Sequence, residues 1–143
     1  MLYSFLVNGG RPFHFLRTIR DALVRAEFVA RGRAQWSPVE ADDRALAQTE
    51  EGTLEGTGAS VRASYTWHFG AVDGEAAAVI KFPDSRIFVE RLDLSKGACD
   101  VTHFCEPDTY EGTFSLEGNV MRVTWNVKGP LKDYVSTTEF TPT

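Results

Sequence analysis

The residues best suited to chemistry lie in the last third of the sequence, between positions 101 and 134. His103 and Cys105 are two residues apart, so their side chains share one face if this segment is a strand. A histidine on the inner face of an apolar barrel would be a proton-transfer group or a polar anchor for a ligand. The structural alternative is a core histidine held by a buried partner such as Asp108 or Tyr110. The sequence leaves both interpretations open.

Metal binding and covalent catalysis are two further functions to weigh for this segment. The side chains of His103, Cys105 and Asp108 are of types that bind zinc, but no second pair of Cys or His residues follows at a zinc-site spacing. An activated cysteine also needs a helix N-terminus or an electropositive pocket, which the sequence around Cys105 does not indicate. We therefore predict neither a metal ion nor a cysteine nucleophile.

Two adjacent acidic residues, Glu50 and Glu51, are candidates for a buried charge. Neighbouring strand residues point to opposite faces, so one of the two carboxylates would lie inside a barrel. An unpaired charge there is costly, so the inner carboxylate needs a basic partner. The partners considered are Arg62, Arg86, Arg91 and Lys132. Such a pair would either orient a ligand or tie strands together.

Aromatic residues recur at strand spacing and would form the walls of an internal site. Residues of this kind most often form only the core, and Tyr and Trp side chains need polar partners when they are buried. Combined with a histidine and a lysine, they would also line a pocket for a planar or apolar ligand. The predicted ligand-binding residues are Tyr65, Trp67, Phe88, His103, Tyr110, Trp125, Lys132 and Tyr134.

The elements that must position these residues are short β-strands. The clearest is 60–69, where apolar and aromatic residues alternate strictly with polar ones. Helical spacing of Leu2, Phe5 and Leu6 predicts a short N-terminal helix that ends at Asn8-Gly9-Gly10. Residues 21–31 fit either a helix or a strand, and Val72-Asp73-Gly74 predicts a turn. The other predicted strands are 13–20, 32–37 (stopped by Pro38), 46–54, 75–82, 86–94, 98–104, 109–116, 120–128 and 132–140.

This pattern predicts an all-β fold with a single domain over residues 1–143. Nine or ten short strands at regular spacing are typical of a sandwich or a barrel. Closure into a barrel removes the exposed strand edges that a long meander would otherwise leave. We therefore favour an antiparallel up-and-down, lipocalin-like barrel of about 8–10 strands, which has room for one small ligand.

Composition narrows the classes of partner. The formal net charge is −5, which argues against nucleic acid because phosphate binding needs clustered Lys and Arg. No apolar run approaches the ~20 residues needed to cross a bilayer, and no signal peptide is recognisable. The two cysteines are too few for a disulfide scaffold, so we predict a cytoplasmic protein with reduced thiols. No phosphate loop, dinucleotide fingerprint or hydrolase motif is found, so no cofactor is predicted.

A set of short motifs is ordered along the chain. These motifs are Gly32-x-Ala34-x-Trp36, Glu50-Glu51-Gly52, Tyr65-x-Trp67, Phe82-x-Asp84-x-Arg86-x-Phe88, His103-x-Cys105-x-x-Asp108-x-Tyr110 and Trp125-x-Val127-x-Gly129-Pro130-x-Lys132-Asp133-Tyr134. In them the sequence resembles an uncharacterised family of lipocalin-like barrels catalogued as domain of unknown function 6314. The N-terminal match is poorer, since Phe13 stands where the family usually has a tryptophan. Asp84-Ser85-Arg86 also replaces the usual Asp-Gly-Arg. The resemblance implies a barrel and supplies no function.

The preferred prediction for function is the binding of a small, partly apolar ligand inside the barrel. One alternative is a barrel-cavity enzyme, such as an isomerase, cyclase or decarboxylase, acting on a small organic acid. It would use His103, Glu50 or Glu51 as acid or base, with Tyr110 or Lys132 as partner. Another alternative is a scaffold or interaction protein with a filled barrel. The sequence makes no prediction of oligomeric state.

Overall fold

A computed structural model describes residues 2–70 and 77–143 of the chain. Helix α1 (Leu2–Val7) is followed by a 3₁₀ turn at Asn8–Gly10. The described residues form ten strands. These are β1 (Phe13–Asp21), β2 (Ala26–Val39), β3 (Asp42–Leu54), β4 (Ser60–Phe69), β5 (Ala77–Lys81), β6 (Ile87–Asp93), β7 (Ala98–Cys105), β8 (Asp108–Glu117), β9 (Val120–Gly129) and β10 (Lys132–Pro142).

The strands form one antiparallel sheet in the order β6-β5-β4-β3-β2-β1-β10-β9-β8-β7. Strands β1 and β10 pair along their length, from Phe13 opposite Pro142 to Asp21 opposite Tyr134. This pairing curls the sheet into a nearly closed barrel. Among the described residues, β6 and β7 are the two strands that end the sheet, and we call the gap between them the seam. The predicted all-β, up-and-down barrel with a short N-terminal helix is confirmed.

Several strand boundaries differ from the sequence prediction. The ambiguous region 21–31 is mostly strand, because β2 begins at Ala26 and pairs with β1 across a tight turn. Pro38 does not stop β2, although the pairing register shifts between Pro38 and Val39, where the ladder loses a donor. The predicted strand 60–69 agrees with β4. The predicted turn at 72–74 and the start of the strand predicted at 75–82 lie outside the described residues.

Helix α1 packs against one end of the barrel. Leu2 and Leu6 are buried there, and the Tyr3 ring meets the edge of Phe69 with 5.3 Å between ring centroids. The antiparallel order places the turns β1–β2, β3–β4, β5–β6, β7–β8 and β9–β10 at the opposite end. We call that opposite end the mouth. In the described part of the chain, no helix has the length and apolar character that crossing a bilayer would require.

Candidate functional site

A cavity of about 460 Å³ occupies the interior of the barrel. Its lining comes from nine of the strands, from β1 round to β6 on one side and from β8 to β10 on the other. A filled barrel, which the scaffold alternative required, is therefore not what the structure contains. The aromatic side chains that line the cavity are Trp36, Tyr65, Trp67, Phe88, Tyr110, Phe114, Trp125, Tyr134 and Phe140.

Most of the residues predicted for the ligand site come together at this cavity. Of the eight, His103 and Lys132 do not line it. The six that do are Tyr65, Trp67, Phe88, Tyr110, Trp125 and Tyr134. They converge because inward-facing residues alternate along each strand and the sheet closes on itself.

Phe88 bridges two walls of the barrel. Its ring stacks on Tyr65 of β4 (5.4 Å between centroids, 16° between planes) and on Trp125 of β9 (4.9 Å, 27°). Strands β4 and β9 are separated by four strands in the sheet order, so they lie on opposing sides. Gly112 allows Trp125 to lie flat on β8, because a Cβ there would be 2.7 Å from the indole ring. The result is a stack of three nearly parallel rings across the interior.

A polar network lies on another part of the cavity wall. The Glu50 side chain is only 3% exposed, and its Oε1 accepts a 2.7 Å hydrogen bond from Nη2 of Arg17. Its Oε2 accepts a 2.8 Å bond from Nε2 of Gln48. Gln48 in turn accepts a 2.7 Å bond from the indole N–H of Trp67. Arg17 also donates from Nε to Oγ1 of Thr138 at 2.7 Å. Both carboxylate oxygens therefore have partners, as a buried charge requires.

The partner of Glu50 is a residue that was not among those considered. Arg17 is on β1 and Glu50 on β3, so their ion pair crosses β2, at a point where three successive inward positions hold small residues. The small residues are Ala30, Gly32 and Ala34.

Glu51 is the outward member of the acidic pair and lies 3.4 Å from Arg62 at the surface. The other considered partners bind elsewhere, namely Arg86 to Asp84, Arg91 to Asp93 and Lys132 to Asp108.

The position of Arg17 depends on a pair of glycines. Gly32 and Gly52 face each other across β2 and β3, and the ring of Phe15 rests on both of them. The guanidinium of Arg17 then lies over the Phe15 ring, 4.9 Å from its centroid. A side chain at either glycine would push Phe15 inward. Gly32 and Gly52 therefore let the Phe15 ring pack close to the sheet, and that ring supports the guanidinium of Arg17, the partner of Glu50.

Trp36 contributes a donor with no partner. Its side chain lines the cavity and is 1% exposed. Among the described residues, its Nε1 is the one buried side-chain nitrogen or oxygen without a hydrogen bond. This nitrogen has essentially no accessible surface toward the cavity, because the rings of Phe13, Trp67 and Phe140 pack around the indole.

Two tyrosine hydroxyls of the cavity lining are held in their neutral form. Burial raises the pKa of Tyr65, and nearby Glu50 raises it further. Burial also raises the pKa of Tyr134, with a further contribution from Tyr110. Both hydroxyls therefore remain able to donate hydrogen bonds throughout the physiological range of pH.

Lys132 lies beside the cavity without lining it. Its Nζ is 3.0 Å from the Tyr110 hydroxyl and 3.2 Å from Oδ2 of Asp108. The hydrogen bonds to Tyr110 and then to Asp108 raise the pKa of Lys132 above its usual value, so it stays charged. Tyr110 is thereby fixed on the cavity wall. In the structure Lys132 supports Tyr110, and its role as a direct ligand contact stays a prediction.

His103 lies at the seam and not in the lining of the cavity, and its role as a ligand anchor stays a prediction. Its ring packs edge-on against the rings of Phe88 and Tyr110, with 5.2 and 5.7 Å between centroids. Strands β6 and β7 share no backbone ladder, so ring contacts of this kind join them. Burial, followed by the charge of Arg86, lowers the pKa of His103.

Acidification is expected to destabilise the protein through His103. Its pKa in the folded state lies below that of the unfolded chain, which is about 6.5. As the pH falls below 6.5, the unfolded chain therefore binds more protons at this histidine than the folded protein does. The free energy of unfolding decreases until the pH reaches the pKa of His103 in the folded state. Thermal unfolding at pH 7 and pH 5 should show a larger loss for the wild type than for His103→Gln. His14→Gln, at an exposed position, should follow the wild type. Equal losses in wild type and His103→Gln would contradict a lowered pKa of His103 in the folded state.

The thiols and acidic groups of the predicted reactive segment do not come together. Cys99 and Cys105 are free, and Cys105 is exposed. Within residues 2–70 and 77–143, no three His, Cys, Asp or Glu side chains are grouped so that they could hold a metal ion. The carboxylate of Asp108 is taken by Lys132.

Fold and cavity together define an antiparallel β-barrel with an internal pocket that combines aromatic walls with a buried ion pair. The chain belongs to the family of unknown function DUF6314, whose family model matches residues 10–142. Ten chains of solved structures match the fold. One is EF1p2_mFAP2b bound to DFHBI, with 10% sequence identity and a TM-score of 0.50, covering 99% of this chain and 97% of that one. None of the curated proteins matches the sequence.

Proposed function

We propose that this protein binds a small, partly apolar ligand inside its barrel. The observation that carries the proposal is the cavity of about 460 Å³, lined by aromatic side chains and by one buried polar network. Small-molecule sites usually have roughly 300–1,000 Å³ and the same combination of apolar walls with a few polar groups. The barrel of EF1p2_mFAP2b, which has the same fold, was solved bound to DFHBI, and this supports a binding role.

The cavity offers a ligand two kinds of surface, aromatic rings and a polar wall. Tyr65, Phe88 and Trp125 offer apolar ring surface, and transfer of an apolar group onto it from water is favourable. Arg17 and Glu50 satisfy each other, so they form a fixed dipole and not a free charge. A ligand would gain affinity mainly from the rings and orientation from the polar wall.

Binding is favoured over catalysis by where the acid–base candidates lie. His103 does not line the cavity and packs against the rings of Phe88 and Tyr110 at the seam. Glu50 is inside it, but both of its oxygens accept hydrogen bonds from protein groups. Glu51 is exposed on the outer surface. The enzyme alternative needs two such groups around one empty space. Glu50 and Tyr110 both line the cavity, but the Glu50 carboxylate is held by Arg17 and Gln48, which favours a binding role for it over proton transfer.

The location of the protein is proposed on the basis of its thiols. Cys99 and Cys105 are both free, and Cys105 is exposed. Exposed free thiols persist in a reducing compartment. We therefore propose that the protein works in the cytoplasm.

Filling the cavity is expected to abolish binding. Ala63 lines the cavity from β4, so a phenyl ring in Ala63→Phe would occupy the space of the ligand. The affinity for the apolar fluorescent probe N-phenyl-1-naphthylamine should fall about tenfold or more, equivalent to ~1.4 kcal/mol. Titrations can follow the emission of the probe or of the three tryptophans, since Trp36, Trp67 and Trp125 all line the cavity.

The matched control is the next residue on the same strand. Ser64 is exposed on the outer face of β4, so Ser64→Phe adds the same ring outside the barrel and should leave affinity unchanged. If Ala63→Phe and the wild type bind the probe equally well, binding does not occur in the cavity and the proposal fails. Circular dichroism would verify that both variants are folded.

A further inference from the structure

We propose that the rim of the barrel mouth docks on a phospholipid surface without net charge, from which the cavity takes up its apolar ligand. The rim consists of exposed apolar side chains around the mouth, namely Leu23, Val24, Ile87, Phe104 and Leu131. Docking is a second function, carried by residues that do not line the cavity. The uptake of ligand from the lipid surface rests on the proposed function.

The exposed apolar side chains are confined to one end of the barrel. Within residues 2–70 and 77–143, six large apolar side chains are exposed, and all six belong to the mouth half. Five of them form the rim, and the sixth, Val135, points outward from the wall at β10. Single exposed apolar residues are normal on a protein surface, whereas a group of them marks a site of interaction.

Two adjoining turns form one side of the rim. The backbone N–H of Ala22 donates to the carbonyl of Asp133 at 2.8 Å, which joins the β1–β2 turn to the β9–β10 turn. The side chains of Leu23 and Val24 are exposed on the first turn. Leu131 is 87% exposed on the second. These three side chains therefore stand side by side at the edge of the mouth.

The other side of the rim flanks the seam. The rings of Phe88 and His103 are in contact there, with 5.2 Å between centroids. Their chain neighbours Ile87 and Phe104 are exposed, Phe104 by 73%. Both lie at the mouth ends of their strands, β6 and β7. The rim thus continues from the turns to both edges of the seam.

The cavity opens inside this rim. Asp21 and Tyr134 line the cavity and pair with each other at the mouth ends of β1 and β10. Both are only half-buried, so the cavity reaches solvent at the mouth. A ligand that enters there passes between the rim side chains. An apolar ligand is more soluble in a bilayer than in water, so a lipid surface against the rim would be its source.

The charges at the mouth indicate a surface without net charge. Basic side chains there form ion pairs with acidic ones, in the pairs Arg20–Glu27, Arg86–Asp84, Lys128–Asp133 and Lys132–Asp108. Arg25 and Lys81 are matched in number by Asp21 and Glu106. The described part of the mouth therefore has no cluster of one sign that would attract an acidic or a basic partner. Phosphatidylcholine, whose headgroup has no net charge, fits this balance.

A lipid surface also fits the rim better than a protein partner does. The rim side chains stand on separate turns around an opening, whereas a stable protein interface buries about 800 Å² per partner in a close-packed patch. A protein seated on the rim would close the cavity. A bilayer interface is fluid and accommodates apolar side chains that are separated from one another.

The first test measures docking. The protein is mixed with vesicles of palmitoyl-oleoyl-phosphatidylcholine, and the bound fraction is determined by flotation. In Leu23→Ser/Leu131→Ser the affinity for vesicles should fall about tenfold or more, because two apolar side chains no longer transfer from water into lipid. Val135→Ser is the matched control, since it removes an exposed apolar side chain outside the rim, and it should bind vesicles as the wild type does.

The second test measures the exchange of ligand. Protein loaded with N-phenyl-1-naphthylamine is mixed with vesicles that contain a quencher-labelled lipid. Exchange at the lipid surface makes the transfer rate rise with vesicle concentration, whereas release into water makes it independent of that concentration. We expect the first result for the wild type and a lower rate in Leu23→Ser/Leu131→Ser. Without vesicles, both proteins should bind the probe equally well, because neither leucine lines the cavity.

The outcomes separate this inference from the proposed function. A wild type that does not float with vesicles, or that floats no better than Leu23→Ser/Leu131→Ser, overturns docking through the rim. Flotation that requires added phosphatidylserine overturns the uncharged surface. A dimer that the double substitution dissociates would place a second copy of the chain on the rim and overturn the lipid assignment.

A transfer rate independent of vesicle concentration overturns the uptake of ligand from lipid. In all these cases, Ala63-dependent binding of the probe leaves the proposed function intact. If the probe does not bind at all, the proposed function and the uptake of ligand fall together, whereas docking is still decided by flotation.

Discussion

Replacing Glu50 alone with leucine is expected to lower the free energy of unfolding by about 3 kcal/mol or more. The carboxylate is 3% exposed and bound to Arg17, whose side chain is 17% exposed. The substitution leaves that guanidinium without its counter-charge and Gln48 without its acceptor. Removal of one partner of a buried pair is costly because the other charge stays desolvated. Urea denaturation followed by far-ultraviolet circular dichroism measures the change.

The double variant Arg17→Met/Glu50→Leu tests the cause of this loss. With both charges removed, the barrel should be more stable than Glu50→Leu by ~1.5 kcal/mol or more, since apolar replacements of a buried pair are often close to neutral. Glu51→Leu, on the exposed face of the same strand, should change stability by less than about 0.5 kcal/mol. A Glu50→Leu variant as stable as Glu51→Leu would contradict the buried ion pair.

Substitution of Gly32 by alanine is expected to destabilise the barrel by about 3 kcal/mol, at the upper end of overpacking effects. A Cβ at this position would overlap the backbone carbonyl of Glu51, and it would lie 2.6 Å from Cα of Gly52 and 2.7 Å from the Phe15 ring. The backbone of β3 cannot move without breaking its pairing with β2. Displacement of Phe15 would also tilt Arg17 away from Glu50. Urea denaturation measures the loss.

Gly118 is the matched control for this prediction. It lies in the β8–β9 turn with a φ of 61°, and a Cβ there would have no atom within 4 Å. Gly118→Ala therefore incurs only the strain of a left-handed backbone, about 1–2 kcal/mol. A loss for Gly32→Ala no larger than that for Gly118→Ala would show that the β2–β3 contact is looser than the structure has it.

The fold could be predicted because most strands show alternating apolar and polar residues and are bounded by turn residues. In β4 the alternation of Tyr65 and Trp67 with polar neighbours gives the strand, its inner face and its bounds. The sequence was less informative at 21–31, where Phe28 and Val29 fit both the helical and the strand periodicity. Pairing with β1 decides that region in favour of a strand, and this is a long-range interaction that local spacing does not contain.

The aromatic half of the site could be predicted, whereas the polar half could not. Tyr65, Trp125 and Tyr134 were found because aromatic residues on inner faces of a closed barrel must converge. Arg17 was missed as the partner of Glu50, although it continues the inward phase of Phe13 and Phe15 on β1. The pair crosses an intervening strand, and local spacing does not show which strands lie two apart in the sheet.

His103 shows a different limit of sequence analysis. Its phase on β7 was read as inward, but β7 is one end of the sheet and not a central strand. A side chain on an end strand can turn to the seam and pack against the facing strand, as the ring of His103 does with Phe88. Only the order of the strands reveals which residues have that option.

The central claim is that the interior of the barrel is a ligand-binding cavity. Its most direct test is native mass spectrometry of the protein purified from the cells that produce it, beside Ala63→Phe and Ser64→Phe purified in the same way. The wild type and Ser64→Phe should carry a non-covalent mass that is released on denaturation, and Ala63→Phe should lack it, because its added ring fills the cavity. A bound mass of equal abundance in Ala63→Phe, or the bare chain mass in all three proteins, would contradict the claim.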